Sequence, residues 1–433
     1  MKIYVFFINL FFYIPIANAY LDPGTGSMLL SVFIGLMSSA YFGIRKFPEL
    51  LRRIFFRSTN RSELLKKNNI VIYSESKTYW NTFKPLLDEF SKRNLSVLYL
   101  TSSFNDPAFS QGYPNSIKIK YIGTGNKAYT ALNFLEAKVF VLTTPGVDVL
   151  QIKRSKGVNK YIHVLHSITD IHFYKYFSFD YYDEVIVNGE YQKKNIRYLE
   201  TVRKTTKKRI PILGILYFDI LMNRIKSENL ERIYPDSNTI LLAPTWGKNG
   251  MLSRFGSKIP SLLAKAGFNV IFRPHPQSYI SEKDLIERLR AELKQYPNLV
   301  WDSESDGFPS MKKSALLVSD LSGIVFDFAF CFLRPVVTID FEIHSNGFEA
   351  FDLDSELWDL TYSDEFGKRL NIDEIVSLPD IVKKLISDRT LGEKIKRIRA
   401  ENIANFGNSA SIIADEIIEQ SELNNSNKEK VCK

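Results

Sequence analysis

The sequence predicts an α/β protein in which two Rossmann-like domains face a cleft, preceded by an N-terminal membrane segment. Three observations carry that expectation. From Asn69 onward short apolar runs alternate with longer helical patterns, as in parallel-sheet proteins. A charged, turn-prone stretch near residues 210–238, punctuated by Pro211, Gly214 and Pro235, divides them into two sets. Two uncharged apolar runs come before both sets. At 433 residues, 45% of them hydrophobic and 24% charged, the chain is long enough for two domains and too apolar to be disordered over most of its length. Its two cysteines, Cys331 in an apolar run and Cys432 near the end, offer neither a disulfide framework nor a cysteine zinc site.

Taken in order, residues Tyr4 to Ala17 are uncharged after Lys2, and Ala17-Asn18-Ala19 resembles a small-x-small cleavage site, so 1–19 reads as a signal peptide or first anchor. Residues 27–44 (Ser27 to Ile44) are also uncharged and long enough to cross most of a bilayer core of roughly 30 Å, which predicts a transmembrane helix. Arg45, Lys46, Arg52, Arg53 and Arg57 follow at once. By the positive-inside bias the chain downstream is expected at the cell membrane with its catalytic body in the cytoplasm. Residues 45–68 form a basic juxtamembrane segment suited to anionic headgroups.

The N-terminal Rossmann-like domain is expected over 69–210. Its strands are predicted at Ile70–Tyr73, Ser96–Leu100, Val139–Leu142, Tyr161–Leu165 and Glu184–Asn188, with helices at Thr82–Lys92 and Ala128–Leu135. After a linker at 211–238, the C-terminal domain (239–420) carries strands at Thr239–Ala243, Asn269–Phe272, Leu299–Trp301, Leu316–Val318 and Val336–Ile339. Helices at Ile259–Ala266, Glu282–Gln295 and Gly323–Leu333 separate them. The last helices, Asp380–Ile386 and Leu391–Asn405, are placed to pack back across the cleft, and the tail 421–433 is too polar to fold alone.

The net charge of +9 is local. Arg45 to Lys67 holds eight basic residues against two acidic (+6) and Lys193 to Arg209 eight against one (+7), so the rest of the chain sums to −4. The second stretch reads either as a solvated helix face or as a hold on membrane or on a polyanionic acceptor. Nucleic acid is not an expected partner, because the basic patches lack aromatic platforms in a recognised module.

Five histidines are available for general-base work. His163 and His166 lie three apart on or just after one predicted strand, so at most one faces the cleft. His166, beside Ser167 and Asp170 where the apolar strand ends, is the better candidate for the cleft, and His163 for the core. His166, Asp170 and His172 show no recognised ligand spacing, so no metal site is expected. Arg273-Pro274-His275-Pro276 follows a strand, and the two prolines brace a cation and an imidazole at its carboxyl end, which suits an anion site. Ser319-Asp320-Leu321-Ser322-Gly323, leading into Ile324 to Phe328, reads as strand, turn and helix. There Ser322 can cap the helix, and Gly323 lets backbone amides approach a diphosphate at the positive end of the helix. Pro244-Thr245-Trp246 places a further hydroxyl after another strand.

Together, Leu165-His166-Ser167, Pro244-Thr245-Trp246, Arg273-Pro-His275-Pro276 and Ser319-Asp320-Leu-Ser322-Gly-Ile-Val-Phe-Asp327-Phe resemble the ordered motifs of the CDP-glycerol glycerophosphotransferase family, which builds teichoic-acid-type polymers. The resemblance spans roughly residues 70–345. In the family pattern Trp-His-Gly is followed by a short polar stretch and a lysine; here Leu165 and Ser167 flank the histidine, and the nearest following lysine is Lys175.

The resemblance implies a GT-B-like fold, a nucleotide-activated donor (CDP-glycerol), no separate cofactor, and a lipid-linked or polyanionic acceptor whose hydroxyl attacks the donor and releases CMP. It implies His166, His275 and Arg273 as catalytic residues, His166 as the base. Thr245, Ser319, Asp320, Ser322, Gly323 and Asp327 are then expected at the nucleotide, Asp327 either reaching the ribose or fixing the turn. Two other readings stay open: a GT-B glycosyltransferase or sugar-nucleotide enzyme of surface polysaccharide synthesis, and a catalytically inactive membrane-anchored binding protein.

Overall fold

The computed structural model describes residues 68–230, 236–320, 322–340 and 346–431, with side chains to 422. The expected segments at 1–19, 27–44 and 45–67 lie outside the described residues. Among the described residues no helix is long and apolar enough to cross a membrane.

Two six-stranded parallel sheets organise the chain. The first lobe contains β1 (Asn68–Ser74), α1 (Trp80–Lys92), β2 (Val97–Thr101), β3 (Ile117–Tyr121), α2 (Asn126–Leu132), β4 (Glu136–Leu142), β5 (Gly157–Val164), β6 (Glu184–Ile186) and α3 (Glu190–Val202). Its strand order is β3-β2-β1-β4-β5-β6. After α4 (Leu216–Ser227) the second lobe runs β7 (Asp236–Leu242), α5 (Met251–Phe255), α6 (Lys258–Lys265), β8 (Asn269–Phe272), α7 (Lys283–Leu293), β9 (Leu299–Trp301), α8 (Phe308–Lys313), β10 (Ser314–Ser319), α9 (Gly323–Phe332), β11 (Val336–Ile339), α10 (Trp358–Ser363) and β12 (Gly367–Leu370). Its order, β12-β11-β10-β7-β8-β9, is the same winding. Each sheet therefore reverses direction once, between β1 and β4 and between β7 and β10, and ligands of open α/β sheets gather outside the carboxyl ends of such pairs.

Burial on both faces explains the near-continuous apolar strands: every residue of β2, β10 and β11 is buried. Helix α9, Gly-Ile-Val-Phe-Asp-Phe-Ala-Phe-Cys-Phe, is apolar on most sides because it is packed on most sides, with Val325, Phe326, Phe328, Ala329 and Phe330 at 1% exposure or less.

The expected linker at 211–238 is corrected in part, since α4 fills its middle. Its apolar positions Leu216, Phe218, Leu221 and Ile225 are buried between the lobes' cores, so this segment is a packed element. Helices α11 (Leu378–Ser387) and α12 (Leu391–Asn402) lead to α13 (Ala410–Val431), which returns to the first lobe. There Ile413 and Ile417 share a core with β1 and α1, each burial contributing about 1.5–3 kcal/mol. The helix continues through the tail expected to be unfolded. Where the two crossings meet, Gly214 has φ 96° and a Cβ there would stand 2.4 Å from the Ala404 carbonyl oxygen, so a side chain would push the crossings apart.

A second link joins the lobes. Beyond β11, the segment after residue 345 reaches across to the first lobe: Glu349 N–H donates to Tyr174 O (2.9 Å) and Tyr176 N–H donates to Gly347 O (3.0 Å). Arg203 of the first lobe is almost fully enclosed there, bonded to Asp180 (2.8 Å), Glu349 (2.5 Å) and Asp352 (2.8 Å).

Candidate active site

His166 lies two residues beyond β5, where the strand has released its last ladder bond. Its Nδ1 is 2.8 Å from Thr143 Oγ1, after β4, and 3.5 Å from the Tyr174 hydroxyl. The rings of Tyr79 and Tyr174 flank it, with centroids 5.0 and 5.6 Å away. This enclosure costs the imidazolium its hydration and pushes the pKa down to about 4, so the ring is neutral at pH 7. With Nδ1–H donating to the Thr143 hydroxyl, Nε2 is the unprotonated nitrogen and can take a proton. His163, by contrast, is fully buried among Tyr174, Phe179 and Tyr182, and neither of its ring nitrogens has a hydrogen-bond partner among the described residues. It is a core residue, as the register argument expects.

In the second lobe the expected nucleotide-binding set separates into two groups. Asp320 is buried and already engaged: Thr245 N–H donates to Oδ1 (2.6 Å), and the Thr245 hydroxyl (2.8 Å) and Met251 N–H (2.7 Å) donate to Oδ2. Ser319 donates to the Ala243 carbonyl (2.6 Å) in the interior. These bonds stitch the carboxyl end of β10 to that of β7, with Ser319 and Asp320 holding the junction. Thr245, whose hydroxyl proton is committed, shapes the same loop.

Arg273 is also held by internal bonds. Strands β8 and β9 are neighbours, and their carboxyl ends bring Arg273 Nη1 to within 2.6 Å of Asp302 Oδ2, while Nη2 donates to Glu304 O (2.8 Å). The guanidinium is thereby neutralised and braces the loop after β9. His275 is different. Gln277 N–H donates to its Nδ1 (3.1 Å), so in the neutral ring the proton sits on Nε2, which is then a donor. Burial lowers its pKa, opposed by Asp320 and Glu282. The exposed indole of Trp246 lies 6.3 Å from the ring, beside a cleft of about 630 Å³ that Lys248, Ser253 and Glu282 also line.

Ser322 has extended backbone (φ −153°, ψ 149°) ahead of α9 but makes no side-chain bond to the helix, contrary to the expected cap, so its hydroxyl is available. A Cβ on Gly323 would meet nothing nearer than Ser167 Oγ, 3.9 Å away. The fold itself does not require glycine there. More important, the same contact places the residue after His166 opposite the positive end of α9, and so joins the two lobes' candidate groups. Asp327, one turn on, accepts no hydrogen bond among the described residues, so it does not fix the turn; burial pushes its carboxyl up to about 7. Among the described residues no group of three His, Cys, Asp or Glu side chains is arranged to hold a metal ion.

The family model described as CDP-glycerol:poly(glycerophosphate) glycerophosphotransferase matches residues 54–349, more than half of the chain and all of the motifs above. The chain belongs to that family. It is a CDP-glycerol glycerophosphotransferase-like enzyme, and the transfer of glycerophosphate is its reaction class. No curated protein matches the chain by sequence. Among solved structures, the wall teichoic acid polymerase TagF aligns with a TM-score of 0.54 at 18% identity over 90% of this chain and 98% of that one, and a variant of it with 0.58 at 18% over 89% and 98%. A putative UDP-N-acetylglucosamine 2-epimerase from Listeria monocytogenes aligns with 0.52 at 13% over 83% and 97%. At these identities the likeness is one of fold, the GT-B-like pairing of two parallel sheets.

Within this glycerophosphotransferase the basic stretch 193–209 is mostly spoken for. Lys193 pairs with Glu190, Arg197 and Lys208 with Glu200, Arg203 with its three carboxylates, and Arg209 with both oxygens of Glu416 at 2.8 Å. The stretch fastens α3 and α13, while Lys194, Lys204 and Lys207 stay exposed. The sequence also hid Thr143 and Tyr79, which contact His166; the rule that sites gather at strand ends on either side of a switch point would have found both.

Proposed function

We propose that the enzyme transfers glycerol phosphate, or a similar polyol phosphate, from a CDP-activated donor to a hydroxyl of a lipid-linked or polymeric acceptor and releases CMP. The observation that carries this is the approach of Ser167, the residue after the neutral His166, to the amino end of α9, 3.9 Å from where a Cβ on Gly323 would stand. The helix amides and the Ser322 hydroxyl would take the donor's paired phosphates. His275 Nε2–H would donate to a phosphate oxygen, and Asp327 would accept from the ribose hydroxyls. The acceptor oxygen forms a bond to the glycerol-bearing phosphorus while the bond from that phosphorus to the bridging oxygen breaks, the electron pair leaving with CMP. His166 Nε2 takes the acceptor's proton. Catalysis of this kind rests on positioning and charge stabilisation.

The expected result for membranes incubated with CDP-glycerol is CMP release, reduced at least about tenfold by His275→Ala, the effect of losing one charge-assisted bond to phosphate. Equal release from the folded variant removes His275 from the site. A thermal-shift series with CDP-glycerol, CDP-ribitol and UDP-sugars separates this donor from those of sugar-nucleotide enzymes, and stabilisation by none of them favours the inactive binding protein.

The N-terminal runs and the basic residues that follow them fit a body held at the cytoplasmic face, where a lipid-linked acceptor is within reach. Deleting residues 1–44 is expected to leave salt-sensitive binding to anionic liposomes through the remaining basic residues, and salt-insensitive binding by the shortened chain overturns that part.

A further inference from the structure

The loop that follows β5 and carries His166 is held from two sides. On the first-lobe side its carbonyls are taken in turn: Ser167 O accepts from Asn188 Nδ2 (2.9 Å), Ile168 O from the Tyr191 hydroxyl and Thr169 O from Gln192 Nε2 (3.0 Å). On the second-lobe side the contact is with the start of α10. Asp170 N–H donates to Asp359 Oδ2 (2.8 Å), and the Asp170 carboxylate accepts in return from Trp358 N–H (3.4 Å). Asn195 Nδ2 donates to both oxygens of that carboxylate (2.9 and 3.1 Å). His172, on the same loop, sets Nε2 3.2 Å from Ser355 O and Nδ1 3.4 Å from Asp170 Oδ2. Asp170, His172 and Asp359 are all buried, so the lobes meet here in a closed polar seam.

Asp359 is unevenly used. Its Oδ2 holds the loop, while its buried Oδ1 has no hydrogen-bond partner among the described residues, and neither has Thr338 Oγ1 at the end of β11. Both residues, with Arg369 of β12 and Val325 in the first turn of α9, line one void of about 10 Å³, no larger than a single water. One side chain thus bonds the loop of the base and borders a void shared with the helix whose amino end faces Ser167. A buried carboxylate oxygen without a donor is costly when charged. Burial accordingly pushes the Asp359 carboxyl up to about 7, with Asp170 N–H opposing. The titratable and charged groups that face it are Asp170 and His172 of the loop, Tyr191 of α3 and Arg369 of β12, the last 3.8 Å from Asp364. Burial works against the His172 imidazolium, but Asp170 outweighs it and the pKa is raised.

We propose that Asp359 is a positioning residue of the transfer reaction, fastening the His166 loop to the second lobe at the separation from α9 that transfer requires, with Asp170 and His172 as its partners on the loop. The proposal rests on the transfer reading above and adds to it a residue that lies outside every sequence motif. The neutral carboxyl is the fastening form. A carboxyl raised from its ordinary value strengthens the fastened state fully below the usual carboxylate range. That contribution is lost as pH rises through about 7, where Asp359 becomes a second buried anion beside Asp170. His172, also raised, runs the same way, but its neutral ring can keep Nε2–H on Ser355 O, so Asp359 sets the response. This limb lies on the alkaline side, opposite to the loss of the His166 base form in acid.

The test uses the full chain in membranes with CMP release as the readout. Asp359→Ala is expected to lower kcat at least about tenfold, toward the roughly 10²-fold that a misplacement of about 1 Å costs, with the KM for CDP-glycerol unchanged. Asp359→Asn keeps an oxygen for Asp170 N–H and cannot ionise. It is expected to match wild-type kcat at about pH 6 and to retain it at about pH 9, where wild-type kcat has fallen at least about threefold. Wild-type kcat in Asp359→Ala, or no difference in pH dependence between wild type and Asp359→Asn, overturns the proposal while transfer itself stands. If Asp359→Ala does not fold, the comparison with Asp359→Asn decides. Hydrogen–deuterium exchange of residues 165–173, compared between wild type and Asp359→Asn at each pH, needs no substrate. Slower exchange in the variant at about pH 9 and not at about pH 6, in a protein that releases no CMP, supports the fastening and sinks the transfer reading. Equal exchange at both values overturns the fastening.

Discussion

Replacing His166 by alanine is expected to lower kcat by about 10²–10⁴, the usual contribution of a positioned general base, while CDP-glycerol still stabilises the protein in a thermal-shift assay. The expectation follows from the anchoring of Nδ1 by Thr143 and from the low pKa. With the imidazole titrating near 4, the base form is present throughout the physiological range and is lost only as pH falls through that value. The pH profile of kcat/KM should therefore show no inflection from His166 between pH 6 and 8 and should fall in acid near pH 4. An inflection near 6.5 that disappears in His166→Ala would place the working histidine in a far more hydrated setting than the one described.

The second large effect concerns stability. Arg203→Met should destabilise the protein by about 3–5 kcal/mol, measured by urea unfolding, because it strands the charges of a buried pair. Arg203 is 6% exposed at its side chain, stacks over the rings of Tyr176 and Phe177 at 4.7 Å, and is the counter-charge to Asp180, Glu349 and Asp352 together. Burial already raises the Glu349 pKa, and Arg203 opposes that rise, so its loss drives Glu349 toward the protonated form. Lys204→Gln, one residue along the same stretch, should change stability by less than about 0.5 kcal/mol, as surface substitutions do. Similar losses from both would return the stretch to the reading of a uniformly exposed basic face.

The parts of the fold that sequence reveals and the parts it hides divide along charge. Strands such as Asn269–Phe272, Leu299–Trp301 and Val336–Ile339 are predicted to the residue, because each is a short apolar run bounded by polar or turn residues. Two of the four edge strands are missed. Ile117-Lys-Ile-Lys-Tyr121 and Gly367-Lys-Arg-Leu370 carry the lysines and arginine that edges favour, and these read as loop. Helix α3 is missed because its many charges obscure the apolar stripe, although they pair along the helix, Lys193 with Glu190 and Arg197 with Glu200.

The candidate site divides differently. Residue type and position after a strand find the carboxyl ends of β5, β7, β8 and β10, but they say nothing of which polar group is already satisfied. Asp320, Ser319 and Arg273 have the right chemistry for a phosphate site, and the fold spends it on Thr245, Ala243 and Asp302. Only three-dimensional pairing separates them from Ser322, Gly323 and His275.

The central claim is that the amino end of α9, facing Ser167, receives the donor's diphosphate. Calorimetric titration of CDP-glycerol into Gly323→Asp tests it most directly. A carboxylate in the first turn favours a helix by about 0.3–1 kcal/mol, and the space over Gly323 is open to 3.9 Å, so the variant should melt no lower than wild type. Its negative charge would nonetheless occupy the place of the phosphates. The account predicts that CDP-glycerol binds the wild-type enzyme and not this stable variant; wild-type affinity in Gly323→Asp would contradict it.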